Sequence, residues 1–101
     1  MEYQGETIFS KIIARQIPAE VLYETETVLA FRDISPQAPQ HILIIPKKKL
    51  EALKSAEPED RGILGDLLLA AGEIARREGF AEDGYRVVIN TGKDGGQTVF
   101  H

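Results

Sequence analysis

The first apolar positions of the chain recur at helical spacing and predict a short helix. Thr7 is a suitable N-cap, because its hydroxyl can accept a hydrogen bond from a backbone N–H of the first turn. The helix should end near Gln16, and Pro18 then stops it. The apolar positions that define it are Ile8, Phe9, Ile12 and Ile13.

Two short runs rich in strand-forming residues come next and predict a β-hairpin. They span residues 21–23 and 28–34, and the stretch between them is polar enough for a turn, although it lacks the usual Asn-Gly signal. Period-two alternation along the second run places Leu29, Phe31 and Asp33 on one face of the sheet.

A third strand is predicted after a connection that contains two prolines. Pro36 and Pro39 cannot sit in a central strand, so residues 35–39 should link two strands. From His41 to Ile45 the chain is continuously apolar after its histidine, which is typical of a strand buried on both faces. Pro46 ends that strand.

The second half of the chain predicts one long helix and a further strand. From Pro58 to about Glu78 the apolar residues form a single helical stripe, and Gly79 is a suitable C-terminal cap. Residues 85–90 are typical of a strand, and a last strand should begin at about Thr98.

This order of elements predicts an α+β domain with a mainly antiparallel five-stranded sheet, one short helix and one long helix. At 101 residues the chain forms a single domain, residues 1–101. Its final strand has hardly started at His101. We therefore expect the domain to be incomplete at its C-terminus, with an unpaired sheet edge.

Composition and charge limit the classes of function that this chain could have. The chain has a formal net charge of −4, which gives no general electrostatic reason to bind nucleic acid. The exception is the run Lys47 to Lys49, for which a solvated loop is the simpler interpretation. The chain has no cysteine, no signal-peptide pattern at its start and no apolar run long enough to span a bilayer. These features predict a cytoplasmic protein with no membrane partner.

Candidate chemistry is concentrated at the end of the chain. Residues 90–97 contain three glycines, which allow backbone N–H groups to approach an anion closely, and His101 follows. The other histidine is His41. Taken alone, either histidine could be structural, and the glycine loop could be an ordinary hairpin turn.

Read in order, several segments together closely resemble the histidine triad (HIT) family. The nearest branch is that of the Hint nucleotide-binding phosphoramidases, and the resemblance runs from Thr7 to His101. The matching segments are Thr7 to Ile13, Ile17 to Ala19, Ala30 to Pro39, His41 to Lys47 and Asp94 to His101.

The resemblance implies a purine nucleotide site. Asp33 would accept hydrogen bonds from both ribose hydroxyls, which is a charge-assisted contact. An apolar slot for the base would be lined by Ile8, Phe9, Phe31 and Ile34. The α-phosphate and its leaving group would be surrounded by Asn90, Gly96, Gln97, Thr98 and Val99.

The resemblance also implies the reaction. In the family, a histidine attacks the α-phosphorus, a nucleotidyl-histidine forms, and water then releases the nucleoside monophosphate, without a metal or cofactor. His101 would be the first histidine of the triad, and His41 would lie near the catalytic imidazoles. The resemblance further implies a homodimer.

One departure leaves two functions open. The family motif is His-x-His-x-His, and the residue that resembles the nucleophile falls two positions beyond His101. The leading hypothesis is a nucleoside phosphoramidate hydrolase, active in the intact protein. The alternative is a non-catalytic nucleotide-binding module.

Overall fold

In the computed structural model, the described part of the chain folds into a three-stranded antiparallel sheet and two helices. That part comprises residues 8–14, 16, 18–33, 40–48, 50, 53–92 and 94, without the side chain of Ile8. In chain order, the elements are α1 (Ile8–Ile13), β1 (Val21–Glu24), β2 (Val28–Arg32), β3 (Ile42–Pro46), two short 3₁₀ turns (Leu53–Ser55 and Pro58–Asp60) and α2 (Arg61–Glu78).

The β1–β2 hairpin confirms the prediction made from its two apolar runs. Its turn closes without Asn-Gly because the hydroxyl of Thr25 accepts hydrogen bonds from the backbone N–H groups of Thr27 (3.2 Å) and Val28 (3.1 Å). The backbone N–H of Thr25 also donates to the carbonyl of Val28 at 2.9 Å. The side chain of Thr25, at the first position of the turn, therefore does the work of the residues with left-handed backbone conformation that tighter hairpin turns require.

The sheet has order β1-β2-β3, and each of its faces carries one helix. On the first face, Leu29 and Phe31 of β2 and Ile45 of β3 form a buried cluster with Ile12 of α1. Val28 and Ala30 alternate with these residues and are also buried, so they point to the second face, which α2 covers. The central strand is thus buried on both faces.

Helix α2 ends where its sequence predicts, at Glu78, but begins at Arg61, three residues after the predicted start at Pro58. Pro58 and Asp60 form a 3₁₀ turn at the start, where the carboxylate of Asp60 accepts a hydrogen bond from the backbone N–H of Glu57 at 2.9 Å. At the other end Gly79 has φ +85°, and its N–H donates to the carbonyls of Ala75 and Arg76. A left-handed residue here is the standard way to end a helix, which explains the glycine.

The buried carboxylate of Asp60 predicts how stability depends on pH. Lys48 Nζ lies 2.5 Å from Asp60 Oδ1 and, together with the Glu57 N–H, holds the pKa of Asp60 below its ordinary value. The same pair raises the pKa of Lys48, whose ammonium group is charged throughout the acid range in either state. Because the unfolded state binds the proton more tightly, this pair stabilises the fold above the ordinary aspartate pKa of about 3.9, and the stabilisation is lost as pH falls through the lower folded-state pKa.

We expect the difference in free energy of unfolding between the wild type and Asp60→Asn to be constant from about pH 7 to about pH 5 and to shrink below about pH 4. Urea unfolding at each pH measures this difference. Asp83→Asn, at an exposed carboxylate in the turn after α2, is the control and should show no such trend. An Asp60→Asn difference as large near pH 3 as near pH 7 would contradict the assignment.

One strand of the predicted five-stranded sheet needs correction. Residues 85–90 are described, yet they belong to no strand, and the sheet that the described residues form has three strands. Half or more of Tyr85, Val88 and Ile89 is exposed. Their β-propensity is real, but a strand forms only where a second backbone supplies hydrogen bonds. The last predicted strand, residues 98–101, lies outside the described residues.

Candidate functional site

A carboxylate and an imidazole face each other at one end of the β2–β3 ladder. The register pairs Arg32 with Ile42, which places Asp33 opposite His41 one step further along. The backbone N–H of Asp33 donates to the carbonyl of His41 at 3.0 Å, and His41 Nδ1 lies 3.4 Å from Asp33 Oδ2. The fold therefore brings together two predicted site residues that are eight positions apart in the chain.

Aromatic side chains lie on the same face of the sheet as this pair. Phe31 is two residues before Asp33 on β2, and Phe9 of α1 meets it edge to face, with 6.1 Å between ring centroids. Phe31 is buried, whereas Phe9 is only partly buried. The face thus changes from apolar at Phe9 and Phe31 to polar at Asp33 and His41 within about two residue steps.

The first glycine of the predicted phosphate loop lies beside a lysine. Gly92 has φ +72°, a left-handed conformation that glycine adopts readily. Lys54, in the 3₁₀ turn Leu53–Ser55, lies beside it: a Cβ on Gly92 would be 3.5 Å from Lys54 Nζ, and the Lys54 N–H donates to Thr91 Oγ1 at 3.3 Å. One cation therefore sits next to the start of the loop.

The remaining predicted site residues are not brought into this arrangement by the described structure. Asn90 is described, and its side chain is exposed in the segment that follows α2. Its role at a phosphate stays a prediction. The side chain of Ile8 and all of Ile34, Gly96, Gln97, Thr98, Val99 and His101 lie outside the described residues.

Arg32 lies between Phe31 and Asp33 but points to the opposite face of the sheet, and no sequence motif marks it as a functional residue. Its guanidinium contacts Glu20, Gln40 and Glu78. The available signal was a charged residue at the end of an apolar strand, on the face that α2 covers. That signal indicates a charged side chain at the edge of a buried face, but it does not identify the groups that the side chain contacts.

These features define an α+β domain with a carboxylate–imidazole pair at the end of its sheet. The HIT domain model matches residues 14–101, and the chain belongs to the HIT family. The resemblance inferred from the sequence motifs is thereby confirmed at the level of the family.

The chain is similar over most of its length to several named proteins and solved structures. Purine nucleoside phosphoramidase of Escherichia coli strain K12 is 52% identical over 96 residues, covering 95% of this chain and 81% of that protein. A 14 kDa zinc-binding protein of Zea mays is 60% identical over 97 residues, covering 94% and 75% respectively. A solved HIT family hydrolase from Clostridium thermocellum superposes with a TM-score of 0.93 at 44% identity, covering 97% of this chain and 85% of that one.

Within the part of the chain that the structure describes, no group of three or more histidine, cysteine, aspartate or glutamate side chains is arranged to hold a metal ion. No helix in the same part of the chain combines the length and apolar character needed to cross a membrane. The cytoplasmic location stays a prediction.

Proposed function

We propose that this protein is a hydrolase that binds a purine nucleotide at the Asp33–His41 end of its sheet and cleaves nucleoside 5′-phosphoramidates or related nucleotidyl conjugates. The observation that carries the proposal is the pairing of Asp33 with His41 beside the Phe9–Phe31 aromatic contact. The similarity to a purine nucleoside phosphoramidase over most of the chain supports the reaction class.

The surface chemistry of this face suits a nucleoside. A purine base is flat and apolar on both sides, so it would lie against Phe9 and Phe31, with Ile8 and Ile34 completing the slot. The ribose would then reach Asp33, whose two carboxylate oxygens accept hydrogen bonds from the two sugar hydroxyls. The phosphate would lie beyond the ribose, toward His41 and the glycine loop.

The reaction follows the family scheme. An imidazole nitrogen of the triad attacks the α-phosphorus, the phosphorus–nitrogen bond of the phosphoramidate breaks, and the amine leaves with a proton. Water then attacks the nucleotidyl-histidine, which returns the imidazole and releases the nucleoside monophosphate. By resemblance, the nucleophile is two positions after His101. Donors from Asn90, Gln97, Thr98 and the Gly96 and Val99 backbone would stabilise the phosphoryl oxygens.

The test uses the intact gene product with adenosine 5′-phosphoramidate. We expect AMP and free amine to appear in equal amounts, and AMP to bind in a calorimetric titration. Binding without turnover would instead favour the non-catalytic nucleotide-binding module. Absence of AMP binding at millimolar concentration would exclude both functions.

The protein is further proposed to act as a homodimer. Apolar side chains are exposed on α2 and on the segment after it, and a second copy of the chain could cover both while pairing with the backbone of residues 85–90. The side chains in question, with exposed fractions of 49–73%, are Leu68, Leu69, Tyr85, Val87, Val88 and Ile89.

Val88→Asp is expected to convert the dimer to a monomer, because it would place a carboxylate inside a desolvated apolar contact. Light scattering coupled to size-exclusion chromatography measures the mass directly. Lys11→Asp, at an exposed position of α1, is the control and should leave the dimer intact. A wild type that elutes as a monomer, or a Val88→Asp variant that remains a dimer, would contradict this arrangement.

A further inference from the structure

The guanidinium group of Arg32 contacts three separate segments of the chain next to the proposed nucleotide site. Arg32 Nε lies 3.2 Å from Glu20 Oε2, just before β1. A second nitrogen donates to Gln40 Oε1, just before β3, at 2.9 Å, and the third donates to Glu78 Oε1, at the end of α2, at 2.7 Å.

These contacts fall at the rung of the sheet that carries the site. Arg32 is the last residue of β2 and precedes Asp33, and Gln40 precedes His41 just before β3. The Asp33–His41 hydrogen bond lies just beyond the last ladder pair, Arg32 with Ile42, and is the last pairing among the described residues at this end of the sheet. Terminal rungs open most easily, since they have neighbours on one side only. The Arg32–Gln40 contact closes this rung from the face opposite the site.

We infer that Arg32 is a positioning residue for the nucleotide site: it holds the Asp33–His41 rung in the geometry that places the carboxylate of Asp33 against the ribose. The inference deepens the proposed function and rests on it. Arg32 does not touch the nucleotide, because its side chain and that of Asp33 point to opposite faces of the sheet.

The role requires arginine rather than any cation. A guanidinium has several donors in a fixed planar fork, so it can hold Glu20, Gln40 and Glu78 at once. A lysine ammonium at the same position is a point charge on a flexible stem and would reach only part of this set. Partly exposed ion pairs contribute little to stability, so the role is expected to appear in ribose recognition rather than in overall folding.

The test is discrimination between AMP and 2′-deoxy-AMP, which differ only in one hydroxyl that Asp33 would bind. Calorimetric dissociation constants are measured for the intact wild-type protein and for Arg32→Gln and Arg32→Lys. We expect the wild type to prefer AMP by about tenfold, as a charge-assisted hydrogen bond typically gives. The preference should fall to about two- to threefold in Arg32→Gln and remain reduced in Arg32→Lys.

Lys47→Gln is the matched control. It breaks another ion pair of the same sheet, 2.7 Å between Lys47 Nζ and Glu24 Oε2, at the end of β3 away from Asp33. Its preference for AMP should match that of the wild type. Should Arg32→Gln fail to fold, Gln40→Ala removes only the contact to the rung and is expected to lower the preference in the same direction.

Three results would overturn the inference. In the first, Arg32→Gln keeps the wild-type preference for AMP, which would make Arg32 structural only. In the second, Lys47→Gln loses the preference as well, which would indicate general loosening of the sheet. A wild type that binds AMP and 2′-deoxy-AMP equally would remove the proposed ribose contact itself, and with it the inference. This outcome separates failure of the proposed function from failure at Arg32.

Discussion

Replacing Asp33 by alanine is expected to weaken AMP binding by about 10- to 100-fold, because the ribose then loses a charged acceptor for both of its hydroxyls. Calorimetric titration measures the change. The effect on 2′-deoxy-AMP should be smaller, because that ligand makes one hydrogen bond fewer. The carboxylate is half-buried and lies 3.4 Å from His41 Nδ1, so its removal also takes away one partner of the imidazole.

Two further variants separate these contributions. Asp33→Asn keeps the shape and one acceptor oxygen but removes the charge, so its affinity for AMP should lie between those of the wild type and Asp33→Ala. Glu24→Gln neutralises a carboxylate of β1 that pairs with Lys47 away from the site, and it should bind AMP as the wild type does. Wild-type affinity in Asp33→Ala would show that the ribose is bound elsewhere.

The three described strands and both helices could be predicted from the sequence because each has a local signal. The run of strand-forming residues in β2, the continuous apolar run before Pro46 and the glycine at position 79 all act within a few residues. The same reasoning placed Leu29 and Phe31 on one face, where both are buried. Patterns of this kind report burial, and burial is what forms these elements.

The strand predicted over residues 85–90 shows where such reasoning ends. Val87, Val88 and Ile89 have high β-propensity, but propensity describes a side chain on a sheet that already exists. Whether the segment pairs depends on a second backbone. No local signal in these residues specifies that backbone, so the number of strands could not be read from the pattern.

The Arg32 contacts lay beyond prediction for a related reason. Glu20, Gln40 and Glu78 are 12, 8 and 46 residues from Arg32 in the chain. Their proximity follows from the crossing of β1, β2 and the last turn of α2, which is a property of the assembled fold. The Asp33–His41 pair, by contrast, was expected to lie at one site because the family resemblance assigns both residues to it.

The fully buried Leu29 packs in the core next to the proposed site. It packs with Phe31, Ile12 and Ile45, and none of its surface is exposed. Leu29→Ala should therefore lower the free energy of unfolding by about 2–5 kcal/mol, through lost burial and the cavity left behind. Urea unfolding measures the loss, and Leu53→Ala, at a leucine that is 43% exposed, should cost far less. Similar losses in the two variants would contradict the assignment of Leu29 to the core.

A domain of this kind is stable by only about 5–15 kcal/mol. On mild heating, the Leu29→Ala variant should therefore lose the ordered structure of residues Phe31 to Asp33 at temperatures where the wild type still binds AMP.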